Sequence, residues 1–177
     1  MSEIMKEILY YVLYVAGTLA MVGALLSPAK KIKQILFFDF LGSFLVGTGY
    51  LFSANGINGA ISVYIGATMA IINFGIQSKN KTIPVWLMIV YGIVFAVMNF
   101  AGGFTGLAAL AVVASLTFVI GIGQNNGTAF RRWTLANSVL WCAYDVFSTT
   151  YAGLLPHVVM VVFTVVGMIV HDRKVKE

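Results

Sequence analysis

Between positions 137 and 148, five side chains with chemical capacity fall at helical spacing: Asn137, Trp141, Tyr144, Asp145 and Ser148. Residues three, four and seven apart share one helix face, so they form a polar and aromatic stripe on an otherwise apolar segment. Amides and hydroxyls hydrogen-bond a polar solute, rings stack on it or close over it, and a carboxylate binds a cationic group or carries a proton. Asp145 is the focus, since no basic residue neighbours it in sequence. A carboxyl inside an apolar helix is costly enough to imply function by default.

An earlier segment repeats this spacing with Asp39, Ser43, Val46, Gly47 and Tyr50. A third row runs Ser62, Gly66, Met69 and Asn73, and the last apolar segment carries His157, Thr164 and His171. Asn73, Asn137, Trp141, Tyr144 and Asp145 are the candidates for solute binding. Asp39, Ser43, Tyr50, Ser148 and His157 are candidates for a gate or for supporting positions. Plainer roles exist for several. Small residues at four-residue spacing, such as Ser62, Gly66 and Ala70, also serve simple helix packing. Asp39 lies two turns from Lys31 and Lys33 and could pair with them. Trp141 and Tyr144 could be core or interfacial anchors, His157 could be a helix-end residue, and His171, beside Asp172 and Arg173, reads as surface.

Motifs for catalysis and metal binding are missing from the sequence. There is no histidine pair at i, i+4, no cysteine cluster, no phosphate-binding glycine loop followed by lysine, and no nucleophile elbow. The two histidines sit about 20 Å apart along one helix, too far to share a metal. Cys142 is the single cysteine and can form no intrachain disulfide. The expectation is a protein that is not an enzyme, with no catalytic residue, no metal and no cofactor.

The elements that carry these residues follow from composition. Of 177 residues, 60% are hydrophobic and only 10% are charged, against about 25% charged in soluble domains. Mean hydropathy is +0.93. A membrane-spanning helix needs about 20 apolar residues, and charge-free runs divided at turn-rich segments give seven spans: 8–27, 33–53, 57–77, 83–101, 104–124, 130–151 and 153–171. The dividing segments are Ser53 to Gly59, Asn99 to Gly106 and Tyr151 to Pro156. The whole chain, 1–177, reads as one all-α membrane domain whose lipid partner is the bilayer.

Orientation follows from the basic residues, which short cytoplasmic loops retain. Lys30, Lys31 and Lys33, then Lys79 and Lys81, then Arg131 and Arg132, then Arg173, Lys174 and Lys176 all fall on one side if there are seven spans. The C-terminus is expected in the cytoplasm and the N-terminus outside. A cleaved signal peptide would want basic residues before its apolar run, whereas here Glu3 and Glu7 precede it and lysines follow. Topology also accounts for the net charge of +5 without a nucleic-acid partner.

A shift of 98 positions lays Lys33 on Arg131, Asp39 on Asn137 and one turn on another. Helices 1–3 therefore correspond to helices 5–7. Three spans is an odd number, so a fourth helix is needed to make the two copies parallel. The expected plan is 3+1+3: a bundle over 8–78, a linker helix over 83–101, and a second bundle over 104–171.

The segment from Arg131 through Trp141, Tyr144 and Asp145 to Gly153, with its following apolar helix and His171-Asp-Arg-Lys174, resembles the second half of the YgjV-type bacterial inner-membrane proteins. These are similar in length over the whole chain. They look like distant relatives of the SWEET and PQ-loop proteins, which share the 3+1+3 plan and an external N-terminus. The resemblance implies a multi-pass protein of the bacterial inner (plasma) membrane that transports a small polar solute between two three-helix bundles. By the same resemblance, Trp141, Asn73 and Pro28 fit three places that line or hinge such a pocket. The pattern also departs from that family, since helix 2 has no Trp, helix 7 has no Asn, and helix 5 ends without a proline. The expected activity is that of a uniporter or proton-linked carrier. The competing class is a non-transporting receptor or assembly module of PQ-loop type. Seven helices suffice for one pathway, so a homo-oligomer is compatible with the sequence but not required by it.

Overall fold

The computed structural model describes residues 2–28, 31–52, 57–101, 103–148 and 151–172, the side chains at 50, 57–59, 61 and 151–153 excepted. Over these residues it is helical throughout: α1 Glu3–Leu25, α2 Ile32–Tyr50, α3 Ile57–Ser78, α4 Val85–Phe100, α5 Gly106–Ile122, α6 Gly127–Phe147 and α7 Tyr151–Gly167, the last continued by a π turn, Met168–Asp172.

Local chemistry explains several boundaries. Ser2, Thr105 and Asn126 accept hydrogen bonds from the backbone N–H groups of Met5, Ala108 and Ala129, each satisfying a donor that the first helical turn leaves free. Pro84 precedes α4, and its extended backbone cannot continue a helix from upstream. Asn80 ends the α3 segment with φ +56, a left-handed conformation that asparagine tolerates better than most residues. The cap at Asn126 starts α6 three residues before the expected 130, and the helix closes at Phe147 with Ser148 as C-cap. Asp145 therefore lies in the last turn of α6 rather than deep within it.

α2 packs between α1 and α3, α6 packs between α5 and α7, and α4 lies against α5. Two smaller seams join the halves, one between α1 and α7 and the other between α3 and α5. The α1–α2 crossing depends on two glycines. A Cβ at Gly17 would stand 2.6 Å from the Gly42 carbonyl, and one at Gly42 would stand 2.7 Å from the Gly17 carbonyl. Absent side chains let the two backbones touch, as small residues do in membrane helix pairs. The core gathers Leu25, Ile35, Leu36, Met69, Tyr91 and Ile122 from five helices.

Three helical stretches, Glu3–Leu25, Ile32–Gly49 and Leu154–Asp172, are long and apolar enough to cross a membrane. α4 and α5 are apolar but shorter, with 16 and 17 residues. At helical rise they reach about 24 and 26 Å, somewhat less than the hydrocarbon thickness of about 30 Å. The surface is apolar as well. Ile4, Ile8, Val12, Val15 and Leu19 stand exposed along one face of α1, and Trp86, Ile89, Ile93 and Val97 along α4. Continuous apolar faces of this extent suit lipid rather than water.

Candidate functional site

The chemistry-bearing residues of α6 meet a partner from α7. Asp145 is buried, and its Oδ2 lies 2.7 Å from Nδ1 of His157, which remains about one-third exposed. The sequence offers Asp145 no basic neighbour, but α7 supplies one from 12 residues on. Carbonyl dipoles crowd the last turn of a helix and disfavour an anion there. The imidazole ring nitrogen gives the carboxyl a hydrogen-bonding partner at that helix end.

The aromatic members adjoin this pair on one side, Trp141 directly and Tyr144 through Trp141. The Trp141 indole stacks on the His157 ring at 15° with centroids 5.9 Å apart, and Tyr144 meets Trp141 edge to face at 5.2 Å. Trp141, Tyr144, Asp145 and His157 thus form one cluster across the α6–α7 seam. Its surface has flat apolar walls beside a carboxyl–imidazole pair, with the imidazole still reachable. Such a surface can stack a small solute, hydrogen-bond it through the imidazole edge, and hold a proton between Oδ2 and Nδ1.

No family model matches the chain, and neither a curated protein nor a solved structure matches it.

The remaining candidates occupy other positions. Asn137 turns toward α5 and donates from Nδ2 to the Ala114 carbonyl at 2.7 Å. Asn73 is fully buried; it donates to the Ile122 carbonyl at 2.9 Å and accepts from the Tyr91 hydroxyl at 3.2 Å. Both ends of that amide are engaged among α3, α4 and α5, and no described contact brings it to the α6–α7 cluster. Asp39 and Ser43 are buried on α2, and Oδ2 of Asp39 has no hydrogen-bond partner among the described residues. No ion pair joins Asp39 to Lys31 or Lys33; Lys33 instead donates to Asn80 at 2.9 Å. Ser148 caps α6. The side chain of Tyr50 lies outside the described residues. Ser62 faces outward, whereas Gly66, Met69 and Asn73 of the same row are buried. An apolar groove of about 520 Å³ runs between α4 and α5, lined by Met88, Gly92, Leu116 and Val119 among others. Its walls offer a polar solute no anchor.

A second polar centre escapes sequence reasoning. Arg131 is fully buried, although beside Arg132 it reads as one more topology charge. It donates from Nε and Nη2 to Asp172 and from Nη1 to the carbonyls of Ser27 at 2.9 Å and Leu25 at 3.4 Å. Thr128 donates to the same carboxylate at 2.9 Å. His171 is likewise engaged, its Nε2 lying 2.6 Å from the Leu26 carbonyl. The available signal is the seven-residue spacing of Arg131, Ser138 and Asp145, which are all buried on α6 and share one face.

Proposed function

We propose that the chain is a multi-pass carrier of the bacterial inner membrane, a uniporter or proton-linked transporter that moves a small polar solute by alternating access. In this reading all seven helices span the bilayer, the C-terminus is cytoplasmic, and the halves over 8–78 and 104–171 are parallel repeats joined by the helix over 83–101. The observation that carries the transport reading is the Asp145–His157 pair against Trp141 and Tyr144. An ionisable pair among apolar helices, beside stacking surfaces and still reachable through the imidazole, suits solute binding with proton exchange.

The helix pairings support the repeat. The middle helix of each half packs between its two neighbours, and the α1–α7 seam is the counterpart of the α5–α3 seam under the 98-residue shift. Side chains agree with it. Asn73 and His171 are equivalent positions, and each reaches a carbonyl near the end of the helix across the seam. Gln77 and His171 seize equivalent acceptors, the carbonyls of Gln124 and Leu26. The resemblance to YgjV-type proteins, and through them to SWEET and PQ-loop proteins, agrees with the same plan.

The test is uptake into proteoliposomes of solutes identified by mass spectrometry of what the detergent-purified protein retains. Accumulation above background, faster under an inward proton gradient, is the expected result. No uptake of any retained solute, together with a stable co-purifying protein partner, would favour a receptor or assembly module instead.

A further inference from the structure

We propose that Arg131 is the moving jaw of a latch that closes the basic end of the molecule, gripping the C-terminal carbonyls of α1; this inference rests on the carrier reading above.

Two kinds of contact meet at Arg131. Those to Asp172, shared with Thr128, stay within the second half, between α6 and the π turn after α7. Those to Leu25 and Ser27, together with that of His171 to Leu26, cross to the first half. Three successive carbonyls at the end of α1 are thus held by two side chains of the other half. Helix ends leave such carbonyls without intrahelical partners, and the dipole concentrates negative charge there. A cation is the fitting partner, and the guanidinium fork can serve a carboxylate and carbonyls together.

The division of contacts makes the latch releasable. If the halves part, Arg131 keeps Asp172, so no charge is left unpaired in a dry site, the costly outcome for a buried ion pair. What is surrendered are neutral carbonyls at a helix end, which water can serve in place of the side chains. The approach is also close: a Cβ at Gly167 would collide with the Leu25 carbonyl and stand 3.0 Å from Cδ of Arg131. The seam is therefore either fully seated or open, with little room between. At the other seam, Asn73 and Gln77 of α3 hold the carbonyls of Ile122 and Gln124 at the end of α5. Those grips use neutral amides, and the Arg131 seam is the one gripped by a charge.

The test measures the seam itself. Leu26→Cys and Ile169→Cys place spin labels at exposed positions on either side, in a chain carrying Cys142→Ala and reconstituted in nanodiscs. The parent is expected to show one dominant short distance. Arg131→Lys keeps a charge for Asp172 but loses the fork, so the longer-distance population should rise several-fold. His171→Ala removes one crossing grip and leaves the ion pair intact; it should move the distribution in the same direction, and it serves where the lysine variant does not fold. Distributions in the folded variants identical to the parent's would overturn the latch, whatever the uptake. An opened seam in a protein that transports nothing would instead overturn the carrier reading and leave the latch standing.

Discussion

Nδ1 of His157 and Oδ2 of Asp145 lie 2.7 Å apart across the seam between α6 and α7, so the carboxyl and its partner come from different helices. Asp145→Asn keeps the shape and removes the ionisable oxygen. In proteoliposomes this variant should lose accumulation driven by a pH gradient yet retain solute exchange. Uptake equal to the parent's at every pH would rule out a proton at this pair. A double-mutant cycle with His157→Ala should give a coupling of about 0.6 kcal/mol and no more than about 1.7, the mean and the maximum measured for hydrogen bonds between membrane helices. A coupling near zero would mean that the two residues act independently.

Trp141 supplies the flat wall of the same cluster. Aromatic pairs contribute about 0.5–1.5 kcal/mol beyond area burial, so Trp141→Ala should weaken retention of the bound solute by up to about tenfold, and Trp141→Phe by less. Titration of the purified variants by calorimetry gives the comparison. Unchanged affinity in the alanine variant would remove Trp141 from the binding surface.

Asn73 is a test of whether a polar residue serves the seam or the solute. Asn73→Ala deprives the Ile122 carbonyl and the Tyr91 hydroxyl of partners, each buried group left so costing about 1–3 kcal/mol. The melting temperature in detergent should fall, while transport per folded molecule stays near that of the parent. A stable variant that has lost uptake would place this amide among the solute contacts.

The glycine crossing of α1 and α2 can be probed by contrast. Gly42→Ala sets a Cβ 2.5 Å from Cγ of Met21 and 2.7 Å from the Gly17 carbonyl, overpacking that typically costs about 1–3 kcal/mol. Gly75→Ala meets nothing within 4 Å and should be neutral or stabilising by up to about 1 kcal/mol through helix propensity. Equal melting temperatures for the two variants would mean that the helices are not in close contact.

Topology is open to direct test. Reporters fused after Lys81 and after Lys176 should both report the cytoplasm, and one placed between Asn55 and Gly59 should report the exterior. Opposite readings from the two lysine positions would exclude seven spans with this orientation.

Seven helical segments were legible in the sequence because charge-free apolar runs, divided at turn-rich stretches, match the helices of the described residues. Boundaries were less so: α6 starts early because Asn126 caps it, a matter of one hydrogen bond. Within the candidate site, the face shared by Trp141, Tyr144 and Asp145 follows from helical spacing alone. The pairing of Asp145 with His157 does not, because it depends on how α7 packs against α6. The role of Arg131 was hidden for a different reason. Arg131 and Arg132 are chemically identical in sequence, and only the rotation of α6 buries one of them and exposes the other. Likewise Asn73 announces a polar need but not its partners, which lie 18 and 49 positions away.

The grip on α1 also has a consequence for the order of assembly. The carbonyl of Leu26 is met by a side chain 145 positions later, and those of Leu25 and Ser27 wait for Arg131, more than 100 positions on. At about 5–20 residues per second, α1 is complete on the order of ten seconds before its closing partners leave the ribosome. Until then those carbonyls depend on water in place of the side chains. In this respect α1, made before α6 and α7, is finished only after them.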